Sequence, residues 1–177
     1  MYRHLVLLRQ LRQLLWQHGL LLVLGLGLFL LDKYERLPPG VITALLLGAA
    51  GKTAYFLLHN FRAMAVFRQA FQQFLLLISL NLGMVALSFA LDFYCLFHIN
   101  NLVFRGLRAG SEWSVFVQVL YLSLGTLISN SGGNIAAITD SSQALLLLEK
   151  VAGFVSTVFI ISNAVNYVAP ALPPAAD

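Results

Sequence analysis

The chain has 177 residues, of which 59% are hydrophobic and 10% charged, with a formal net charge of +4 and a mean hydropathy of +0.82. Soluble domains carry roughly 25% charged residues, so the composition excludes a soluble fold and leaves a multi-span membrane protein. The small positive balance reports orientation rather than nucleic-acid binding, and a single cysteine, Cys95, excludes an internal disulfide and a cysteine metal cluster.

Residues 1–18 form a basic amphipathic stretch. At helical spacing Leu7, Leu8, Leu11, Leu14 and Leu15 share one side, and Arg9, Gln10, Gln13 and Gln17 the other. This predicts an interfacial helix with its arginines near anionic lipid. A first span over 19–31 carries Gly25 and Gly27, which permit close helix contact. It is followed by Asp32, Lys33, Tyr34, Glu35 and Arg36 without a small-residue cleavage site, so it reads as a retained span. Pro38-Pro39-Gly40 breaks the chain.

The second span, 41–58, holds the small residues Gly48, Ala49, Ala50 and Gly51, suited to packing, and Lys52. An intramembrane lysine is a functional candidate by default, with snorkelling or pairing as the plainer reading. Residues 1–18 and the two peripheral spans of 19–58 are followed by an expected second interfacial helix over 59–73. There Met64, Phe67, Phe71 and Phe74 oppose Arg62, Gln69, Gln72 and Gln73. The third span, 74–97, contains Asn81, read as a helix-to-helix hydrogen-bonding group, and Asp92, read as an interfacial cap. The basic residues Arg3, Arg9, Arg12, Arg62 and Arg68, against Arg105 and Arg108 on the other side, favour cytoplasmic N- and C-termini, and a plasma (inner) membrane is the expected location.

From Glu112 an apolar run climbs to Ile128 and then turns abruptly polar at Ser129, Asn130, Ser131, Gly132, Gly133 and Asn134. A last apolar run occupies 144–165, followed by a short Pro- and Ala-rich tail over 167–177. Polar, non-helical backbone survives at membrane depth only where protein buries it or water reaches it. The expected fold is therefore all-α: four transmembrane helices, with a re-entrant half-helix and loop between the third and fourth.

Ser123-Leu124-Gly125-Thr126-Leu127-Ile128-Ser129 resembles the end of a potassium-channel pore helix, whose pattern is S-L-T-T-L-T-T. Asn130-Ser131-Gly132-Gly133-Asn134-Ile135 stands where that family has V-G-Y-G-D-I. Thr139-Asp140 and Glu149-Lys150-Val151-Ala152-Gly153 are similar to the T-D and E-x-x-x-G at the start of its inner helix. The resemblance covers about 74–166. It implies a pore domain of which four identical chains surround one axis, with 59–73 as a slide-like helix and the first two spans unlike a voltage sensor. It further implies a selectivity filter at Ser129, Asn130, Ser131, Gly132, Gly133 and Asn134, supported by Trp113, Thr126, Asp140 and Glu149. Gly153 would sit at a bend, with Ser156, Ile160 and Asn163 lining the inner pore and Ile160 gating by dewetting.

The sequence departs from the family in the filter itself. Serine stands for the first glycine at Ser131, where left-handed backbone costs roughly 1–2 kcal/mol. Gly132 replaces the bracing aromatic, and asparagines stand at Asn130 and Asn134. These changes imply a wider, hydrated filter passing K+ and Na+ with weak selectivity. A disguised potassium-selective filter and a non-conducting scaffold or accessory subunit are the alternatives. Asp140 would concentrate cations at the mouth or cap the next helix. The stripe Glu149, Gly153, Ser156, Ile160, Asn163 reads equally as a packing face. His4, His18, His59 and His98 are scattered, and no acid–base pair or metal spacing is present. The expectation is a non-enzyme without cofactor or resident metal, whose partners are its own copies and lipid.

Overall fold

The computed structural model describes residues 40–66, 71–108, 110–128 and 133–168. The expected interfacial helix over 1–18, the first span over 19–31, the filter residues Ser129, Asn130, Ser131 and Gly132, and the tail from 169 onward lie outside the described residues. The described chain is mostly helical. Its elements in order are α1 (Val41–Val66), α2 (Phe71–Ile99), β1 (Phe104–Arg105), α3 (Glu112–Leu127), β2 (Ala136–Ala137) and α4 (Asp140–Val168).

Three stretches are long and apolar enough to cross a membrane: Val41–Arg62, Gln72–Ile99 and Asp140–Val165. The shortest has 22 residues, and at about 1.5 Å per residue it exceeds the roughly 30 Å hydrocarbon thickness. These helices match the second, third and last apolar runs of the sequence. α3 has 16 residues, roughly 24 Å, too short to cross.

α1 begins where the Pro38-Pro39-Gly40 break ends, with the Ala44 amide donating to the Gly40 carbonyl at 2.9 Å. It does not stop at 58. No glycine or proline interrupts the sequence between Leu58 and Val66, and the helix runs on to Val66. The expected separate helix over 59–73 is thus corrected: 59–66 extend α1, 71–73 open α2, and 67–70 lie outside the described residues. Buried Asn60 holds this extension inside the bundle. The small-residue face is also only partly used, since Ala49 is buried while Gly48 and Gly51 have open space around them.

α2 is the central element. Phe74, Leu77, Ile78, Val85, Phe89, Phe93 and Leu96 are all buried, at the three- and four-residue spacing that keeps side chains on one helical side. The other helices pack around it. Lys52 of α1 reaches Ser88 of α2, and Asn60 of α1 meets Asn81 of α2, so the two helices run antiparallel. Asn60 and Phe61 meet Ser156 and Phe159 of α4, so α1 and α4 run parallel.

β1 and β2 form a two-stranded antiparallel ribbon with Phe104 opposite Ala137 and Arg105 opposite Ala136. The Ile138 amide and the Ser142 hydroxyl both donate to the Val103 carbonyl at 3.0 Å. This ribbon sits at the end of the bundle where α2 finishes and α4 begins.

Candidate functional site

The start of α3 is tied to the end of α2. Ser111 caps it, its hydroxyl accepting from the Ser114 amide at 3.3 Å, which satisfies one of the amides a helix start leaves without a partner. Glu112 accepts a hydrogen bond from the Tyr94 hydroxyl and lies 3.0 Å from His98 Nε2. Gln118 brackets the preceding loop, accepting from the Arg108 amide at 2.9 Å and donating to its carbonyl at 3.1 Å.

α3 then descends between α2 and α4. Val115, Val119, Leu122, Ser123 and Thr126 face inward. The Ser123 hydroxyl contacts both the Ala86 carbonyl, at 2.7 Å, and the Glu149 carboxyl. Glu149 is fully buried, and among the described residues its Oε2 has no hydrogen-bond partner.

The lower end of α3 rests on Gly153. A Cβ there would lie 2.5 Å from the Leu127 carbonyl oxygen, so only glycine admits the contact. At about 1.5 Å per residue Gly153 is roughly 20 Å along α4 from Asp140. From Leu127 the chain must return that distance, because Ala136–Ala137 pair with β1 at the starting end. Gly106 seals the return. Its φ is +86, and a Cβ would fall 2.0 Å from the Asn134 carbonyl oxygen. Gly133, with φ +63, lies beside the Tyr121 ring. Left-handed backbone is accessible to glycine without steric cost. α3 thus runs from the ribbon end of the bundle to Gly153, and the described chain resumes at Gly133 and leads back to the ribbon.

Placement of the expected site residues is mixed. Gly133 and Asn134 are exposed at the return of the hairpin, and Ser129, Asn130, Ser131 and Gly132 lie outside the described residues. Thr126 is buried and donates to its own helix at the Leu122 carbonyl, 2.8 Å away. Trp113 is exposed and lies against Phe116, ring centroids 5.9 Å apart. Asp140 is exposed and does not cap α4. Thr139 does so instead: its carbonyl accepts from the Gln143 amide at 2.9 Å, and Thr139 and Ser142 exchange side-chain-to-amide bonds at 3.2 and 3.4 Å.

The expected pore lining needs correction. Gly153, Ser156 and Asn163 are buried within the chain, and Ile160 is half-buried. Ser156 accepts from Asn60 at 3.4 Å and donates to the Ala152 carbonyl at 2.7 Å. Helical spacing places these residues on Glu149's side of α4, which is the side packed against the other helices. Within the chain that stripe packs against the other helices, and Gly153 is a close-contact site inside α4.

Two residues carry a relationship that the sequence only hints at. Lys52 and Asp92 form an ion pair, with side chains 11% and 17% exposed. Lys52 also donates to the Ser88 carbonyl at 3.2 Å and its hydroxyl at 3.0 Å, and its ammonium lies 4.5 Å from the Phe89 ring centroid. Asp92 is therefore one half of an ion pair, not an interfacial cap. An apolar helix carrying one buried base opposite a helix carrying one buried acid is the only signal the sequence offers for it.

The fold is that of an α-helical membrane protein with three helices of membrane-spanning length among the described residues. The chain matches no family model, no curated protein and no solved structure.

Proposed function

We propose that four copies of this chain surround a shared aqueous conduit and that the protein is a passive, weakly selective channel for small monovalent ions, K+ and Na+ among them. The single observation behind this reading is the hairpin. α3 is too short to cross a membrane and stops at Gly153, yet by Ala136 the chain is back at β1. Polar backbone at that depth requires water or protein around it. A conduit between copies supplies the water.

On this reading residues 129–134 form the narrow part, and α2 and α4 are the outer and inner helices of each quarter. α1 packs on both, and the span over 19–31 makes a fourth crossing. The membrane is a plasma-type one, and the termini face the cytoplasm, the orientation that the basic residues favour. The asparagine- and serine-rich loop offers amide and hydroxyl oxygens to a partly hydrated ion instead of a rigid cage of carbonyls.

The test is flux through purified protein in lipid vesicles, with mixed-ion reversal potentials. Asn130→Ala and Ser131→Ala are expected to alter the ion preference. Vesicles with no protein-dependent flux would favour a non-conducting scaffold instead. Conduction with unchanged preference in both variants would move the narrow part elsewhere.

A further inference from the structure

The buried stripe of α4 leaves another stripe to account for. Gln143, Lys150 and Thr157 are all exposed. They are seven residues apart, and each such step returns to within about 20° of the same direction along a helix. They thus form one polar line along an otherwise apolar face that includes Leu147, Phe154, Val158 and Ile161. Among the described residues no hydrogen bond or ion pair reaches Lys150.

Depth makes this line informative. Lys150 is roughly 15 Å along α4 from Asp140, about half the hydrocarbon thickness. It is level with the last turns of α3, because Glu149 meets Ser123 and Gly153 meets Leu127. A lysine side chain snorkels over only part of that depth, so an ammonium here facing lipid is strongly disfavoured. The stripe also has a side. At about 100° per residue Gly153 falls between it and the buried face, so the polar line runs beside the end of α3 and away from α1.

We propose that Lys150 faces the aqueous conduit and is its charge-selecting residue. It sets an ammonium ring beside the hairpin that raises the local concentration of small anions such as chloride and opposes cations. Rings of lysine or arginine select anions in pores as rings of carboxylate select cations. Gln143 and Thr157 extend the wetted line above and below it. This inference rests on the channel reading and adds to it one level of the conduit at which positive charge favours anions.

The experiment uses the full chain in vesicles under a potassium chloride gradient. Lys150→Gln and Lys150→Glu are expected to raise the cation-to-anion permeability ratio, the latter by roughly tenfold or more, the scale on which a charged cleft changes local ion concentration. Lys150→Arg is expected to leave the ratio unchanged. Conduction in all three variants with a constant ratio overturns the proposal. A second measurement needs no conduction: Lys150→Cys in a Cys95→Ser background, treated with a membrane-impermeant thiol reagent. Modification supports a water-facing Lys150, and protection overturns it. Wild-type vesicles that pass no ion sink the channel reading itself, and the labelling result then still decides whether position 150 is wet.

Discussion

Lys52 on α1 and Asp92 on α2 form an ion pair inside the span of both helices, with the Ser88 hydroxyl and carbonyl completing the ammonium's hydrogen bonds. The pair joins a peripheral helix to the central one. Breaking a buried pair from one side strands the other charge, which costs about 3–5 kcal/mol, whereas replacing both members by apolar groups is often neutral. Asp92→Asn and Lys52→Met are each expected to lower the unfolding temperature in detergent sharply. The double replacement Lys52→Met with Asp92→Leu is expected to recover most of the loss. Equal, additive losses in the cycle would show that the pair is not coupled.

Gly153 is expected to tolerate no side chain. Gly153→Ala places a methyl 2.5 Å from the Leu127 carbonyl oxygen, and overpacking of this kind costs about 1–3 kcal/mol. Gly153→Val is expected to be worse. A thermal melt reads the stability loss. Gly48→Ala, at a position with open space around it, is the matched control and is expected to melt like the wild type.

Ser123→Ala removes the hydroxyl that meets the Glu149 carboxyl and the Ala86 carbonyl. A buried polar group left without its partner costs about 1–3 kcal/mol. Adding Glu149→Leu is expected to restore most of that loss, because the stranded carboxyl is then gone. A double variant no more stable than Ser123→Ala alone would show that Glu149 is held by something other than this contact.

Gly106→Ala is expected to act on the loop more than on the bundle. Its φ of +86 disfavours a side chain, and the new methyl would meet the Asn134 carbonyl. The affected backbone is the return limb of the hairpin, outside the packed helices. The measurement pairs ion preference with melting temperature: a changed preference with a nearly unchanged melt supports the assignment, and the reverse pattern contradicts it.

Much of the helical layout was legible in the chain. Apolar runs over 41–58, 74–97 and 144–165 mark the starts of α1, α2 and α4 and the ends of α2 and α4 within a few residues, while the end of α1 at Val66 was missed. The abrupt change of character after Ile128 marks the end of α3. The stripe containing Glu149, Gly153, Ser156 and Asn163 was legible as one side of a helix, but which way that side faced was not. Both faces of a membrane helix are apolar, so periodicity groups residues without saying whether protein, lipid or water covers them.

Composition and hydrophobic run length alone determined that this is a helical membrane protein, since few charges and long apolar stretches admit no other solvent. The tertiary structure decided which distant residues meet. It joined Lys52 to Asp92, seated Leu127 on Gly153, and turned Ser156 and Asn163 inward while leaving Lys150 outside. Such contacts depend on how helices rotate about their axes and slide past one another, and that is set by the summed fit of many side chains, not by any local pattern in the chain.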